Sequence, residues 1–324
     1  LQEQLQTEDV SQMISYHFGF KNEHGEDTGS EFVGKGLRPA LCLLTVENFG
    51  GDWQKALPAA SAIELLHNFT LIHDDVQDRD EQRHGKPTVW KTYGTAQAIN
   101  AGDSASYIST LTAMQLTRNG YPPEKVLQVL ELLTRTGKEV IDGQVLDVGF
   151  ETRMDVTLDE YLNMISKKTG KLIQSSIVIG AELAGVSEDK KEVLGAFGFH
   201  LGRLFQLSDD ILGIWGDESK TGKKSVQDIA RRKKSLPIIL ALHYANFQVA
   251  SELQGIYEQE KETLDVEDIQ KVLGLFEKIG VKEKADAMQE SSYRNSLEAL
   301  RRLPDGKAKK DFQQVLKFVR KRDK

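Results

Sequence analysis

One imidazole and two carboxylates, His67, Asp74 and Asp78, fall on one stripe of the apolar stretch His67-Asn68-Phe69-Thr70-Leu71-Ile72-His73-Asp74-Asp75-Val76-Gln77-Asp78. The apolar residues Ala62, Leu65, Leu66, Phe69, Ile72 and Val76 have the spacing of a helix packed on one side. At 100° per residue, Asp74 and Asp78 lie one turn apart on one face, and His67 falls close to the same line. Charged groups on an otherwise apolar helix are costly to bury without partners. A hard cation such as Mg²⁺ is one such partner, because it takes carboxylate oxygens and keeps water or substrate phosphate in its other positions. The competing reading is a capping cluster or a solvated helix end.

A second stretch repeats the pattern. Phe199, Leu201, Leu204, Phe205, Ile211, Leu212 and Trp215 are core-like, Asp209-Asp210 interrupts them, and Gln206 lies one turn before Asp210. A basic loop follows, with Lys220, Lys223 and Lys224, then Asp228 and the run Arg231-Arg232-Lys233-Lys234. The first acid cluster has matching bases in Arg79, Arg83, His84 and Lys86. Two acid pairs in apolar helices, each followed by a basic loop, would hold several Mg²⁺ ions between them, and the bases would complete a diphosphate cage. Arg231 and Arg232 read as a solvated face. Further cations stand in Gly34-Lys35-Gly36-Leu37-Arg38-Pro39, just before a helix whose N-terminus favours anions, and in Lys167-Lys168-Thr169-Gly170-Lys171. The first of these lacks the spacing of a P-loop. Gln144 and Asp147 add a carboxamide and a carboxylate to another apolar helix.

The elements that carry these residues are helices almost throughout. The pattern predicts an amphipathic helix over 1–20, a charged, glycine-rich loop over 21–36, and helices over 37–49, 54–78, 90–118, 123–147, 158–184, 188–215, 235–254, 266–278, 281–302 and 308–321. Breaks fall at Gly50-Gly51-Asp52, Gly85-Lys86-Pro87, the Asn119–Pro123 segment, Gly185 and Gly216. The 7 prolines stand mostly at such junctions, as long unbroken helices require. An all-α fold and a single domain over 1–324 are expected. The net charge of −7 argues against a nucleic-acid surface, and no run of 18 apolar residues suggests a membrane span. The single cysteine, Cys42, lies in an apolar run and reads as a buried structural thiol, which suits a soluble protein of a reducing, cytoplasmic compartment.

Taken together, these motifs resemble the trans-isoprenyl diphosphate synthases, or polyprenyl synthetases, strongly over about 30–240 and more weakly beyond. Asp74-Asp75-Val76-Gln77-Asp78 resembles the family's first aspartate-rich motif and Asp209-Asp210 its second, which puts Asp74, Asp75, Asp78, Asp209 and Asp210 among the metal ligands. Lys35, Arg38 and His67 match the residues that hold isopentenyl diphosphate, with Arg83 and His84 where the family has two arginines. Lys168, Thr169, Gln206 and Lys223 match residues around the allylic diphosphate, and Lys233 matches a further lysine of the second loop. The resemblance implies a helical bundle around a central cavity, three Mg²⁺ ions with bound diphosphate, and a homodimer. It also implies the reaction. Asp74, Asp78 and Asp209 hold the metal ions while Arg83, Lys168 and Lys223 help neutralise the departing diphosphate, and the double bond of isopentenyl diphosphate captures the allylic cation.

Two departures stand out: His84 replaces an arginine, and Gly213 stands where the second motif has its third acid. The latter implies a weaker third metal site, which Gly213→Asp would strengthen. Phe69, five residues before Asp74, and the small Thr70 beside it resemble the chain-length positions of geranylgeranyl diphosphate synthases, so a C20 product is expected, with C15 next and C25 also open. A class I terpene cyclase and a non-catalytic partner subunit are the other readings. Retention of Lys35, Arg38 and His67 argues against the first, and retention of the aspartates argues against the second.

Overall fold

Apolar residues at intervals of three and four, few prolines and glycine-marked breaks make a chain of helices. The structure, a computed structural model, describes residues 8–29, 34, 36–216, 226–259 and 263–321. Its first half runs α1 (Glu8–His17), α2 (Leu37–Asn48), α3 (Leu57–Gln77), a ribbon of β1 (Gln82–Arg83) and β2 (Lys86–Pro87), α4 (Val89–Tyr93), α5 (Thr95–Met114) and α6 (Pro123–Phe150). There follow α7 (Leu158–Ile165), a π-helical turn (Ser166–Gly170), α8 (Lys171–Leu183) and α9 (Glu188–Trp215). The last elements are α10 (Gln227–Ala230), α11 (Leu236–Tyr244), α12 (Phe247–Tyr257), α13 (Val266–Ile279), α14 (Val281–Arg301) and α15 (Lys307–Arg320). The fold is all-α, as the periodicity predicts. None of the described helices is long and apolar enough to cross a membrane.

The chain divides into two compact units, Leu1–Val140 with Ser175–Lys191 and Ile141–Gln174 with Glu192–Lys324. In the first, α3 packs along α5. The buried face of α5 is almost entirely small, with Ala98, Ala101, Gly102, Ala105, Ser109 and Ala113, so the bulkier Ile63, Leu66, Phe69 and Ile72 of α3 can approach closely. Ser109 Oγ donates to the Ala62 carbonyl at 2.7 Å, which satisfies a hydroxyl that would otherwise be buried alone. α8 meets α2 as tightly, since a Cβ at Gly180 would stand 2.4 Å from the Cys42 carbonyl oxygen. In the second unit the core gathers Phe150, Tyr161, Ile165, Leu207, Ile211, Leu236, Ile239, Val272 and Phe276. Each side chain of this size contributes about 1.5–3 kcal/mol when taken fully out of water.

Four predicted segments differ from the structure. The helix expected over 90–118 is split at Gly94, whose φ of 88° lies outside the helical region. The one expected over 235–254 breaks at Ala245-Asn246, where the Asn246 side chain accepts from Val249 N and starts α12 afresh. Within 158–184 the helix runs on but widens into a π turn. The segment after Asp78 forms a ribbon rather than a plain loop. His84 and Gly85, with φ of 53° and 78°, make the tight turn between β1 and β2, the two-residue geometry that suits antiparallel strands.

Candidate active site

In the first unit the acids sit at the C-terminal turn of α3. Asp74 and Asp78 are partly exposed, whereas Asp75 is buried at 1% exposure. Arg83, swung back by the ribbon, donates to Asp75 Oδ1 from Nε at 2.8 Å and from Nη2 at 2.6 Å. Burial pushes the Asp75 carboxyl up to about 6 against the pull of Arg83. Asp75, expected among the metal ligands, here has its carboxylate buried and bonded to Arg83.

Arg38 and His67 form the next pair, with Arg38 Nη1 3.0 Å from His67 Nε2. A guanidinium only donates, so His67 accepts there and carries its proton on Nδ1. Burial first, then Arg38 and Arg83, hold the imidazole well below its usual pKa, so it is neutral. Behind this pair Asn68 Nδ2 donates to the carbonyl and carboxylate of Glu64, and its Oδ1 lies 3.0 Å from Nε2 of the buried His17. Lys86 donates to the Tyr16 and His17 carbonyls. Thus α1 docks directly behind the site, a contact that no sequence motif announces. Phe69 is buried and meets His73 edge-on, with ring centroids 5.0 Å apart. Thr70 spends its hydroxyl on the His67 carbonyl at 2.7 Å.

The second unit organises its acids in the same way. Asp210 is buried and saturated: Tyr161 OH and Leu236 N donate to Oδ2 at 2.6 and 2.8 Å, and Gln206 Nε2 to Oδ1 at 2.8 Å. Burial and the neighbouring Asp228 raise its carboxyl to about 6. Asp210, also expected among the metal ligands, here anchors these three groups. Gln206 in turn accepts from Thr169 Oγ1 at 2.7 Å, so Thr169, Gln206 and Asp210 form one chain. Asp209, the adjacent residue, remains partly exposed.

Lys168 owes its place to backbone crowding. It sits in the π turn, where a Cβ at Gly143 would lie 2.3 Å from Lys168 N and one at Gly202 would lie 2.5 Å from the Gly170 Cα. Its ammonium is held by Asp147 Oδ2 at 2.6 Å. Burial opposes ionisation of Asp147, but Lys168 and Lys233 outweigh it and keep the carboxyl below its usual pKa. Lys233 is exposed and follows Asp228 closely, with its backbone N–H on the Asp228 carbonyl at 2.9 Å. Lys35 and Lys223 lie outside the described residues. Asp147, Tyr161, Gly143 and Gly202 were not singled out as site residues. Asp147, one turn after Gln144 on an apolar helix, was the only one with a visible signal.

Asp74 and Asp78 in the first unit, and Asp209 in the second, are partly exposed and offer the hard oxygen donors that Mg²⁺ takes. Among the described residues no cluster of three or more His, Cys, Asp or Glu closes around a metal.

The sequence model of the polyprenyl synthetase family matches residues 27–276. A (2E,6E)-farnesyl diphosphate synthase of Mycobacterium bovis is 42% identical over 226 residues, which cover 70% of this chain and 61% of that protein. The chain therefore matches less than two thirds of that relative's length. The crystal structure of a polyprenyl synthetase from Streptomyces coelicolor superposes with a TM-score of 0.86 at 33% identity, covering 96% of this chain and 91% of that one. A geranylgeranyl pyrophosphate synthetase from Pyrococcus horikoshii gives 0.81 at 35% identity, over 89% and 86%. With the family's model matched over residues 27–276, well over half of the sequence, the chain belongs to the polyprenyl synthetase family.

Proposed function

We propose that the chain is a trans-prenyltransferase that joins isopentenyl diphosphate to an allylic diphosphate, with Mg²⁺ as cofactor and a short-chain isoprenyl diphosphate as product. The observation that carries this reading lies in the first unit. There the partly exposed Asp74 and Asp78 end α3, Asp74 acts on Arg83, and Arg83 and Arg38 both act on the neutral His67. A reaction between two diphosphates needs both surfaces, acids for a metal-bound diphosphate and bases for one gripped directly.

When bound, Mg²⁺ supplies positive charge that offsets the negative charge developing on the allylic diphosphate. The expected complement is three ions. The chain's own groups do the remainder. Arg38, oriented by His67, grips the isopentenyl diphosphate together with Lys35. Arg83, backed by Asp75, and Lys168, held by Asp147, present cations to the departing diphosphate, and Lys223 has the same assignment. Apolar side chains keep water from the allylic cation. The double bond of isopentenyl diphosphate then captures it, a carbon–carbon bond forms, and a proton passes to the released diphosphate as the new alkene is set. A single domain over 1–324 and a cytoplasmic location belong to this reading.

The main product is proposed to be geranylgeranyl diphosphate. Phe69 is buried five residues before Asp74, and a geranylgeranyl synthetase is among the similar structures. A farnesyl product is the second reading, favoured by the identity to the Mycobacterium bovis enzyme. Incubation with Mg²⁺, isopentenyl diphosphate and separate five-, ten- and fifteen-carbon allylic primers, with the products sized after dephosphorylation, tests both levels. A C20 alcohol is expected. Failure to consume isopentenyl diphosphate with any primer would remove the proposal.

A further inference from the structure

Gly213 follows Asp209 by four residues on α9, so the two share a face. An acid at 213 would project beside Asp209, and the chain has none there. The space is nonetheless filled by a carboxylate. A Cβ at Gly213 would stand 3.2 Å from Asp228 Oδ2 and 3.7 Å from its carboxyl carbon.

This approach is built into the fold. Val226, in the left-handed region at φ 61°, donates its N–H to the Gly213 carbonyl at 2.9 Å and so returns the chain to α9. Two residues later Asp228 lies in the short helix α10, which is pinned by the buried Ile229 and by Lys233 N on the Asp228 carbonyl. Glycine at 213 leaves the room, since any side chain there would meet the Asp228 carboxylate.

Like charges gather at this point. Asp228 acts electrostatically on Asp210, Tyr161 and Tyr257. In its own segment Lys233 donates its backbone N–H to the Asp228 carbonyl, and Arg232 acts on Tyr257. Among the described residues no hydrogen bond or ion pair reaches the Asp228 carboxylate. A carboxylate brought against another acid, without a protein donor, is suited to a cation or to the water shell of one.

We infer that Asp228 supplies, from α10, the carboxylate that α9 lacks at Gly213, and that it acts with Asp209 on the metal of the second acid cluster. The inference rests on the metal-dependent reading above. It also reverses the expectation for Gly213→Asp. An added carboxylate would collide with the one already present, so that variant does not bind metal more tightly than wild type.

The test reads metal directly. Mn²⁺ is titrated into the full chain with inorganic pyrophosphate, and bound and free ion are separated by electron paramagnetic resonance. Asp228→Asn is expected to weaken the Asp209-dependent part of binding by about tenfold, the lower end for a residue that supports a metal site. Asp209→Ala should remove that part and Asp74→Ala should leave it in place. The double variant Gly213→Asp with Asp228→Gly moves the carboxylate back to α9 and should recover most of the binding. That recovery also decides the case if Asp228→Asn alone unfolds. If both Asp228 variants bind Mn²⁺ like wild type while Asp209→Ala does not, Asp228 has no metal role and the metal reading stands. If Asp74→Ala and Asp209→Ala are also unchanged, both fall together.

Discussion

His17 shows how a single side chain couples the N-terminal helix to the site. Its Nε2 faces Asn68 Oδ1 at 3.0 Å, and burial, followed by the charge of Arg83, lowers its pKa to about 3. The folded-state value lies below the unfolded one, so an unfolded chain takes up a proton that the fold refuses. The stabilisation is therefore complete above the unfolded pKa of about 6.5 and is lost as pH falls toward the folded value. At about pH 5 the loss amounts to about 2 kcal/mol, from 1.36 kcal/mol per pK unit. His17→Gln should abolish this part of the pH dependence, as read from denaturant unfolding at neutral pH and at about pH 5. Equal losses in the variant and wild type would show that another group is responsible. Phe69 and Thr70 carry the second prediction at this scale. Phe69 lies roughly 7.5 Å below Asp74 along the helix axis. Phe69→Ala should lengthen the product by at least one isoprene unit and Thr70→Phe should shorten it, as judged by chromatography of the dephosphorylated alcohols. An unchanged distribution in both would move the length limit to another helix.

At the scale of elements, helices that cross without side chains between them set the cation positions. The π turn that carries Lys168 fits because Gly143 on α6 and Gly202 on α9 present bare backbone to it. A π turn adds a residue to the helical ladder and commonly marks a functional position. Gly143→Ala places a methyl 2.3 Å from Lys168 N, and the contact is with backbone, which cannot rotate away. Helix α6 and the turn must then part, at a cost of about 1–3 kcal/mol for overpacking. The expected result is a lower unfolding midpoint together with a higher KM for the allylic substrate, because the Lys168–Asp147 pair moves with the turn. By contrast, Gly149→Ala, with no atom near its added methyl and on the same helix, should change neither.

At the scale of the molecule, the outward side of α5 sets the expectation. Ile99, Tyr107, Leu111 and Met114 are 43%, 75%, 50% and 50% exposed and recur at helical spacing, with Leu127 of α6 65% exposed nearby in sequence. Monomers seldom leave such a stripe bare, and the homodimer that the family resemblance implies makes a second copy of this chain the proposed occupant. Sedimentation equilibrium at micromolar concentration should give a dimer, and Tyr107→Glu with Leu111→Glu a folded monomer. A wild-type monomer under those conditions would contradict the proposal.

Periodicity and composition alone determine the helical class here, because a buried helix face must repeat every three to four residues whatever it packs against. The same spacing places Asp74 with Asp78 and Gln206 with Asp210, and the Gln206–Asp210 hydrogen bond follows directly from it. Acid and base types likewise point to the diphosphate chemistry proposed above before any fold is known. What spacing cannot decide is which member of an acid pair faces out, since adjacent residues differ by only 100° on a helix and the neighbours choose between them. Arg83 draws Asp75 inward, and Tyr161, Gln206 and the Leu236 N–H draw Asp210, which leaves Asp74, Asp78 and Asp209 outside. Nor can spacing reveal a carboxylate that returns from fifteen residues away to stand over a glycine. Gly213 reads as a lost acid in the sequence, and only the tertiary structure shows the Asp228 carboxylate 3.2 Å from where its Cβ would stand.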